Sequence, residues 1–481
     1  MLDCGGHSGE TDWVHIPKLM NEPIRYFVTE GAGETVVHPL GLAMLLICGL
    51  LFLQLPRRYA LWPFIVMVCF VSSRQCVAIG TFNLYFTRLF YLFLLPARIL
   101  FRGENRGFRL NALDWTVIAY GIGHFVAGAL NWDLNLIEMK TRSGYAVDIL
   151  GSYFIFRILI RNIEDVRSVV RCLALVSVPL LAFFAVEFAT GRNLFSIFGG
   201  VPEITPVREG RLRCQGAFGH SILAGTIWAS FLPLFIYGAL KMGRYRWLMV
   251  AGCCSAVGIV FLSASSTPLM GVMVVLAGWA LYRFRAYART GFATAALLLL
   301  ALHMVMKAPV WHLIARLNVT GGNSGYHRFA VIDGFINHWD EWWLWGSKVG
   351  TAHWGHFTFD VADQFVMVGV TSGVFVLAIF IAVIVLALFA AGRIGRQAPF
   401  WGWMLGVQVL TLCVCFLGIS IWGQLHFAWS MPLAMIGSRR YLPRVTVQVR
   451  TSSANGRDRG QVRTSHGDHN PVAFDKRPGD R

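Results

Sequence analysis

Apolar residues arrive along the chain in long blocks separated by short basic stretches. A helix rises 1.5 Å per residue, so about 20 consecutive apolar residues cross the roughly 30 Å hydrocarbon core of a bilayer. The pattern predicts thirteen candidate spans, near 38–55, 60–79, 83–101, 113–130, 146–160, 168–189, 220–240, 247–263, 268–282, 291–306, 363–391, 400–418 and 421–437. The expected fold class is an all-α polytopic membrane protein of about 12–13 transmembrane helices with two long outer loops. Residues 1–37 form an N-terminal segment outside the membrane, and 38–306 hold the first ten spans, including a long loop at 190–219. Residues 307–362 form the larger loop, 363–437 the last three spans, and 438–481 a tail.

Composition agrees with this division. Of 481 residues, 56% are apolar and 14% charged, and the mean hydropathy is +0.56, whereas soluble domains carry about 25% charged residues. The net charge of +17 comes from basic residues spread over many loops and the tail, which argues against nucleic acid as a partner. Loops 56–59, 102–112, 161–167, 241–246, 283–290 and 393–399 hold 15 Lys and Arg in 43 residues, against 11 in 110 for loops 74–82, 131–145, 190–219 and 307–362. The positive-inside rule places the first set in the cytoplasm. An odd span count then leaves residues 1–37 outside, where their six acidic side chains offer little resistance to translocation. They contain no apolar run, so no cleavable signal peptide is expected. The tail, with ten Lys and Arg and four Asp and no apolar periodicity after Val449, is expected to be a disordered cytoplasmic segment meeting anionic lipid headgroups. Most of the ten cysteines sit within apolar blocks without metal-ligand spacing, and they read as core residues rather than zinc ligands or disulfides.

Candidate chemistry gathers in the two long loops. The first ends in Arg208, Arg211 and Arg213, followed by Gly216, Gly219 and His220, and runs directly into a span. Arginine's planar fork grips phosphate oxygens in pairs, and a helix start attracts anions, so this stretch suits a diphosphate at the membrane surface. The alternative is that these arginines snorkel to lipid phosphates or pair with Glu203 and Glu209. The second loop carries a glycine-rich turn, Tyr326-His327-Arg328, Asp333, a tryptophan cluster from Trp339 to Trp345, then His353, His356, Asp360 and Asp363-Gln364 at the mouth of the eleventh span. The tryptophans read best as an interfacial belt, with sugar stacking as the second reading. Ionisable residues within the spans lean outward (Arg88, Glu187, His220, Asp363), whereas His124, Arg157 and His303 stand isolated. Nucleotide-binding, zinc-protease and serine-hydrolase motifs are absent from the sequence, as is an acidic pair in the outer loops that would hold a divalent metal.

The segment Arg211–Gly225 (RLRCQGAFGHSILAG) resembles the Arg-x-x-Gly-x-Phe-x-His/Asn-Pro/Ser-x-x-x-Gly stretch of the O-antigen ligase and polysaccharide polymerase superfamily. The order of parts is similar as well: a Ser-rich turn at 263–267, a long outer loop with Tyr-His-Arg, and Asp-x-x-Asp-Gln leading into a Gly-containing span. The likeness covers about residues 190–437. It implies an integral enzyme of the bacterial inner membrane, without cofactor or metal, whose two long outer loops are periplasmic loops and which moves a glycan from an undecaprenyl-diphosphate carrier to an acceptor glycan or lipid at the periplasmic face. Other polysaccharide-assembly proteins of the envelope are possible partners. The resemblance also implies paired arginines on the donor diphosphate, a role carried here by Arg213 or Arg211 and by Arg328. His220 and Gln364 join the expected substrate contacts, and Asp363 or His327 is the expected base. Ser266-Thr267 stand where many members have Ser-Arg, and Asp363-Gln364 stand where ligases have a His. These departures favour a polymerase, and a lipid-linked glycan flippase is the alternative to an enzyme.

Overall fold

The computed structural model describes residues 35–79, 82–104, 107–131, 136–316, 324–355 and 358–438. The expected N-terminal segment up to residue 34, the glycine-rich turn up to residue 323, and the basic tail from residue 439 lie outside the described residues.

The chain is a helical multi-pass membrane protein. Among the described residues, six helical stretches are long and apolar enough to span a membrane: Ala112–Asn131, Ile163–Thr190, Ser221–Lys241, Gly243–Leu262, Ser266–Val305 and Gln364–Gly395. Pro39–Gln54 and Pro399–Cys415 are shorter apolar helices. Ser221–Lys241 lies at the centre and packs against Arg246–Leu262, Ser266–Ala280 and Pro399–Cys415. Ala288–Val305 stands at the periphery with no buried residue. The second and third expected spans are the least regular. Arg57–Phe70 stops after 14 residues, and the chain then forms an antiparallel pair, Cys76–Ile79 with Phe82–Tyr85. Helix resumes at Phe86 and passes through a π-helical turn, Phe90–Leu94, before Leu95–Arg102.

Polar contacts sort the loops to two ends. At the basic end, Arg157 grips Asp114 with two parallel bonds, Nε to Oδ1 at 2.7 Å and Nη2 to Oδ2 at 2.9 Å. Tyr153 donates to the same carboxylate, and Asn111 reaches the Gly437 carbonyl at 3.0 Å. Arg157 is therefore not isolated as the sequence suggested, because its partner lies 43 positions away on a neighbouring helix. Arg57 meets Asp165 at the same end, where Asn162 and Asp165 form a reciprocal helix cap. Loops 190–219 and 324–355 lie at the opposite end. Cysteine labelling from the two sides of a sealed vesicle is expected to reach Ala330 and Arg396 from opposite sides; labelling from one side only would refute this arrangement.

Gln364–Gly395 is two helices. At Gly373 the backbone takes φ 79° and ψ 178°, which a side chain would oppose. The rings of Phe365 and Phe380 lie 5.6 Å apart, although fifteen residues of continuous helix would separate them by about 22 Å. The chain therefore reverses at Gly373. Gln364–Ser372 forms a short arm folded beside the long helix that begins at Val374. Ser372 at the apex bonds His124 Nδ1 (2.7 Å), so His124 is not isolated either. At the base Gln364 donates to Tyr120 and Tyr145 (3.3 and 3.5 Å) and accepts from the Ile421 N–H at 2.6 Å.

Candidate active site

Loop 190–219 is held by one carboxylate. Glu187, buried at the end of its helix, accepts from the backbone N–H groups of Gln215 (3.0 Å) and Gly216 (2.9 Å) and from Thr205 Oγ1 (3.1 Å). Gly216 has φ 58°, and a Cβ there would meet Phe184 at 2.4 Å, so both conformation and space require glycine. A tight hairpin follows, Val207–Arg208 against Arg211–Leu212, turned by Glu209 and Gly210 with positive φ. Arg208 and Arg211 are exposed on this hairpin, and Arg208 lies beside Glu209 at 3.8 Å. Glu187→Gln is expected to loosen the loop, because an amide cannot accept from three donors at once as a carboxylate does. Limited proteolysis between residues 192 and 212 should accelerate at least tenfold, and an unchanged cleavage rate would count against this anchor.

Arg213 follows the hairpin and is buried. Its guanidinium makes no ion pair or hydrogen bond among the described residues, and its Nε is left without a partner. Burial and the nearby charge of Arg208 push its pKa down, with Glu209 opposing, yet an arginine this basic stays charged. The next residue, Cys214, donates its N–H to the Leu262 carbonyl (3.1 Å), directly before the Ser-rich turn 263–267. Ala264 in that turn has φ 44°, a strained conformation for a residue with a Cβ.

Arg328 approaches the same turn from the helix Ser324–Asn337. Its Nη2 donates to Ser266 Oγ (3.1 Å) and Thr267 Oγ1 (2.8 Å). Gly418 makes room for it, since a Cβ there would sit 2.8 Å from Arg328 Nε and 2.5 Å from Thr267 Oγ1. Burial lowers the Arg328 pKa while Cys415 and Asp363 raise it, and no carboxylate lies within ion-pair distance among the described residues. Arg328 is thus seated on the turn, while the backbone that follows Arg213 meets the residue before the turn; both arginines are buried and make no ion pair among the described residues. Burying a lone charge is costly unless a counter-charge or hydrogen bonds offset it.

The other sequence-predicted residues fall into different places. His220 caps the helix Ser221–Lys241, its Nδ1 accepting from the Ile222 N–H at 3.1 Å, which leaves Nε2 for a ligand. Asp363 caps the hairpin arm through Oδ1, which accepts from Phe365 (2.8 Å) and Val366 (3.0 Å), so the cap does not use Oδ2. The side-chain amide of Gln364 is occupied by Tyr120, Tyr145 and Ile421, which makes it a strut between helices. His327 is half-buried, and as the immediate neighbour of Arg328 it points about 100° away around the helix. Arg211 is exposed on the hairpin rather than beside the turn. Sequence reasoning missed Gly418 and the hydroxyls of Ser266 and Thr267 as the seat of Arg328. The Ser-rich turn and a helix-like stretch carrying Arg328 were both visible, but not that the one sits on the other.

Elsewhere in the loop, Glu341 pairs with His353 Nε2 (2.8 Å) and accepts from Trp354 Nε1 (2.9 Å). Burial opposes its ionisation, but the bonds from His353 and Trp354 outweigh that and lower its pKa. His353 is thus an exposed side chain that pairs with this carboxylate. Among the described residues no group of three or more His, Cys, Asp or Glu is arranged to hold a metal ion.

No protein-family model matches the chain, and comparison with curated proteins finds no match. Fold and site together define an all-α, multi-pass membrane protein with two buried, unpaired arginines at its loop-bearing end.

Proposed function

We propose that the chain is a glycan polymerase or ligase of the bacterial inner membrane that transfers a glycan from an undecaprenyl-diphosphate carrier to an acceptor sugar at the periplasmic face. The observation that carries the reading is that Arg328, seated on the turn 263–267, and Arg213, one residue before the backbone that bonds Leu262, are both buried and make no ion pair among the described residues. A diphosphate supplies the missing counter-charge. It is also a good leaving group, so two guanidinium groups can take up the charge that develops as the anomeric bond breaks. The acceptor hydroxyl attacks the anomeric carbon from the opposite face with inversion. Its proton passes to Asp363 Oδ2, the oxygen the helix cap leaves over, or to His327.

Two tests bear on this reading. Glycan and lipid-carrier profiling of a deletion strain is expected to reveal accumulated carrier-linked repeat units if polymerisation is lost, or full-length carrier-bound polymer if ligation is lost. With purified protein, carrier-linked glycan and acceptor, transfer is expected to persist in EDTA and to quicken with rising pH until the base is deprotonated. Asp363→Asn keeps the helix cap, since asparagine caps as well as aspartate, so its effect reports on the base rather than on folding. Full activity of Asp363→Asn would shift the base to His327. A protein that carries the lipid-linked glycan across vesicles without changing its covalent attachment would be a flippase.

A further inference from the structure

Loop 324–355 ends in an arm that lies on the apex of the hairpin. The Val374 N–H donates to the Trp343 carbonyl (2.9 Å), and the Ser347 N–H donates to the Val370 carbonyl (2.7 Å). This contact fixes the height of the arm. From Val374 to Gly395 the long helix runs for about 33 Å at 1.5 Å per residue, slightly more than the roughly 30 Å hydrocarbon core. With Arg393 and Arg396 at its basic end, its first residue reaches the opposite headgroup layer.

The side chains at that height are apolar and uncovered. Trp339 and Trp343 lie four residues apart on one side of their turn and are 58% and 44% exposed, while Trp342 between them is buried and stacks on Phe335 at 3.9 Å. Leu344 is 38% exposed and Phe375 54%, and the Phe375 ring lies 6.1 Å from that of Trp345. Below them the exposed stripe continues down the long helix through Ile381, Val385 and Phe389, at the three- and four-residue spacing of one helix face. That stripe is the lipid-facing side of a span, and the Val374–Trp343 backbone bond sets the tryptophan turn at its outer end. Amphipathic indole rings are at their most stable at the headgroup level.

We propose that Trp339, Trp343 and Leu344 form a foot resting in the outer-leaflet headgroup zone, which holds the Gly373 hairpin at fixed depth in the bilayer. The partner is the lipid surface itself. Asp340 and Glu341 share the turn with the tryptophans, so the foot fits a zwitterionic surface rather than an anionic one.

The test uses the full chain labelled with 5-fluorotryptophan in phosphatidylcholine nanodiscs. W339F and W343F each remove one fluorine resonance and so assign it. Both resonances are expected to broaden at least threefold with a headgroup-nitroxide lipid and less than 1.5-fold with a soluble gadolinium chelate. Adding anionic lipid should change neither result. If the gadolinium chelate broadens both resonances while the lipid nitroxide leaves them sharp, the proposal is overturned. The same holds if they shift with soluble oligosaccharide but ignore the lipid nitroxide, since the pair would then be a sugar platform.

Discussion

Arg328→Ala is expected to lower transfer by at least two orders of magnitude while the protein still inserts. The guanidinium is held on one side by Ser266 and Thr267, so its remaining donors are set in place before the diphosphate arrives. Removing it costs a charge-assisted contact that strengthens as the leaving group takes up charge, an effect on kcat more than on KM. Arg328→Lys should recover only part of the loss, because an ammonium cannot grip the turn and the phosphate with one fixed fork. Arg213→Ala is expected to act similarly through the other end of the turn. Wild-type glycan from a deletion strain complemented with both alanine variants would show that these arginines serve the fold or the lipid surface instead.

Gly373→Ala is expected to abolish the folded site. A Cβ there would lie 2.1 Å from the carbonyl oxygen of Leu344, a backbone atom that cannot swing aside, and the φ of 79° adds strain of roughly 1–3 kcal/mol on its own. At Gly346, with φ 100°, an added Cβ would lie 2.6 Å from the Val370 carbonyl oxygen, so the same crossing leaves no room for a side chain from either segment. The detergent-solubilised variant should lose its monodisperse elution or melt at least 10 °C lower. Gly243→Ala is the matched control, with open space around it, and should change the melting point by no more than a degree or two. Equal behaviour of the two variants would mean that the reversal at Gly373 is not required.

Much of this architecture was legible in the chain because spans declare themselves by apolar length alone. The central helix 220–240 and the spans 168–189 and 400–418 each have a helix in the structure. The hairpin was not legible. Residues 364–391 form one apolar run, and hydropathy cannot distinguish one long span from an arm folded beside a span. The clue was Ser372-Gly373 within that run, although glycines are common in membrane helices and a single one is ambiguous. Arg213 and Arg328 stood out because arginine is sparse in the outer loops, whereas the Asp114–Arg157 pair depends on a meeting of two helices that no local pattern announces. Gln364 illustrates the converse. A polar residue at a span mouth looks the same in sequence whether its amide faces a substrate or, as here, two tyrosines and a backbone N–H.

The base of the hairpin also imposes an order on biogenesis. The Gln364 N–H donates to the Phe416 carbonyl, and its side chain accepts from Ile421, so both partners are synthesised some fifty residues after the arm itself. Until they emerge from the ribosome, Gln364 has no complete set of partners, and an insertion machinery that sorts segments by hydrophobicity meets 364–391 as a single over-long span. The arm can take its final place only after the penultimate span has been threaded, so closure of the site is a post-insertional event. A nascent chain stalled before residue 416 would already carry Arg328 with Ser266 and Thr267, and would still lack Gly418, whose missing side chain makes room for that guanidinium.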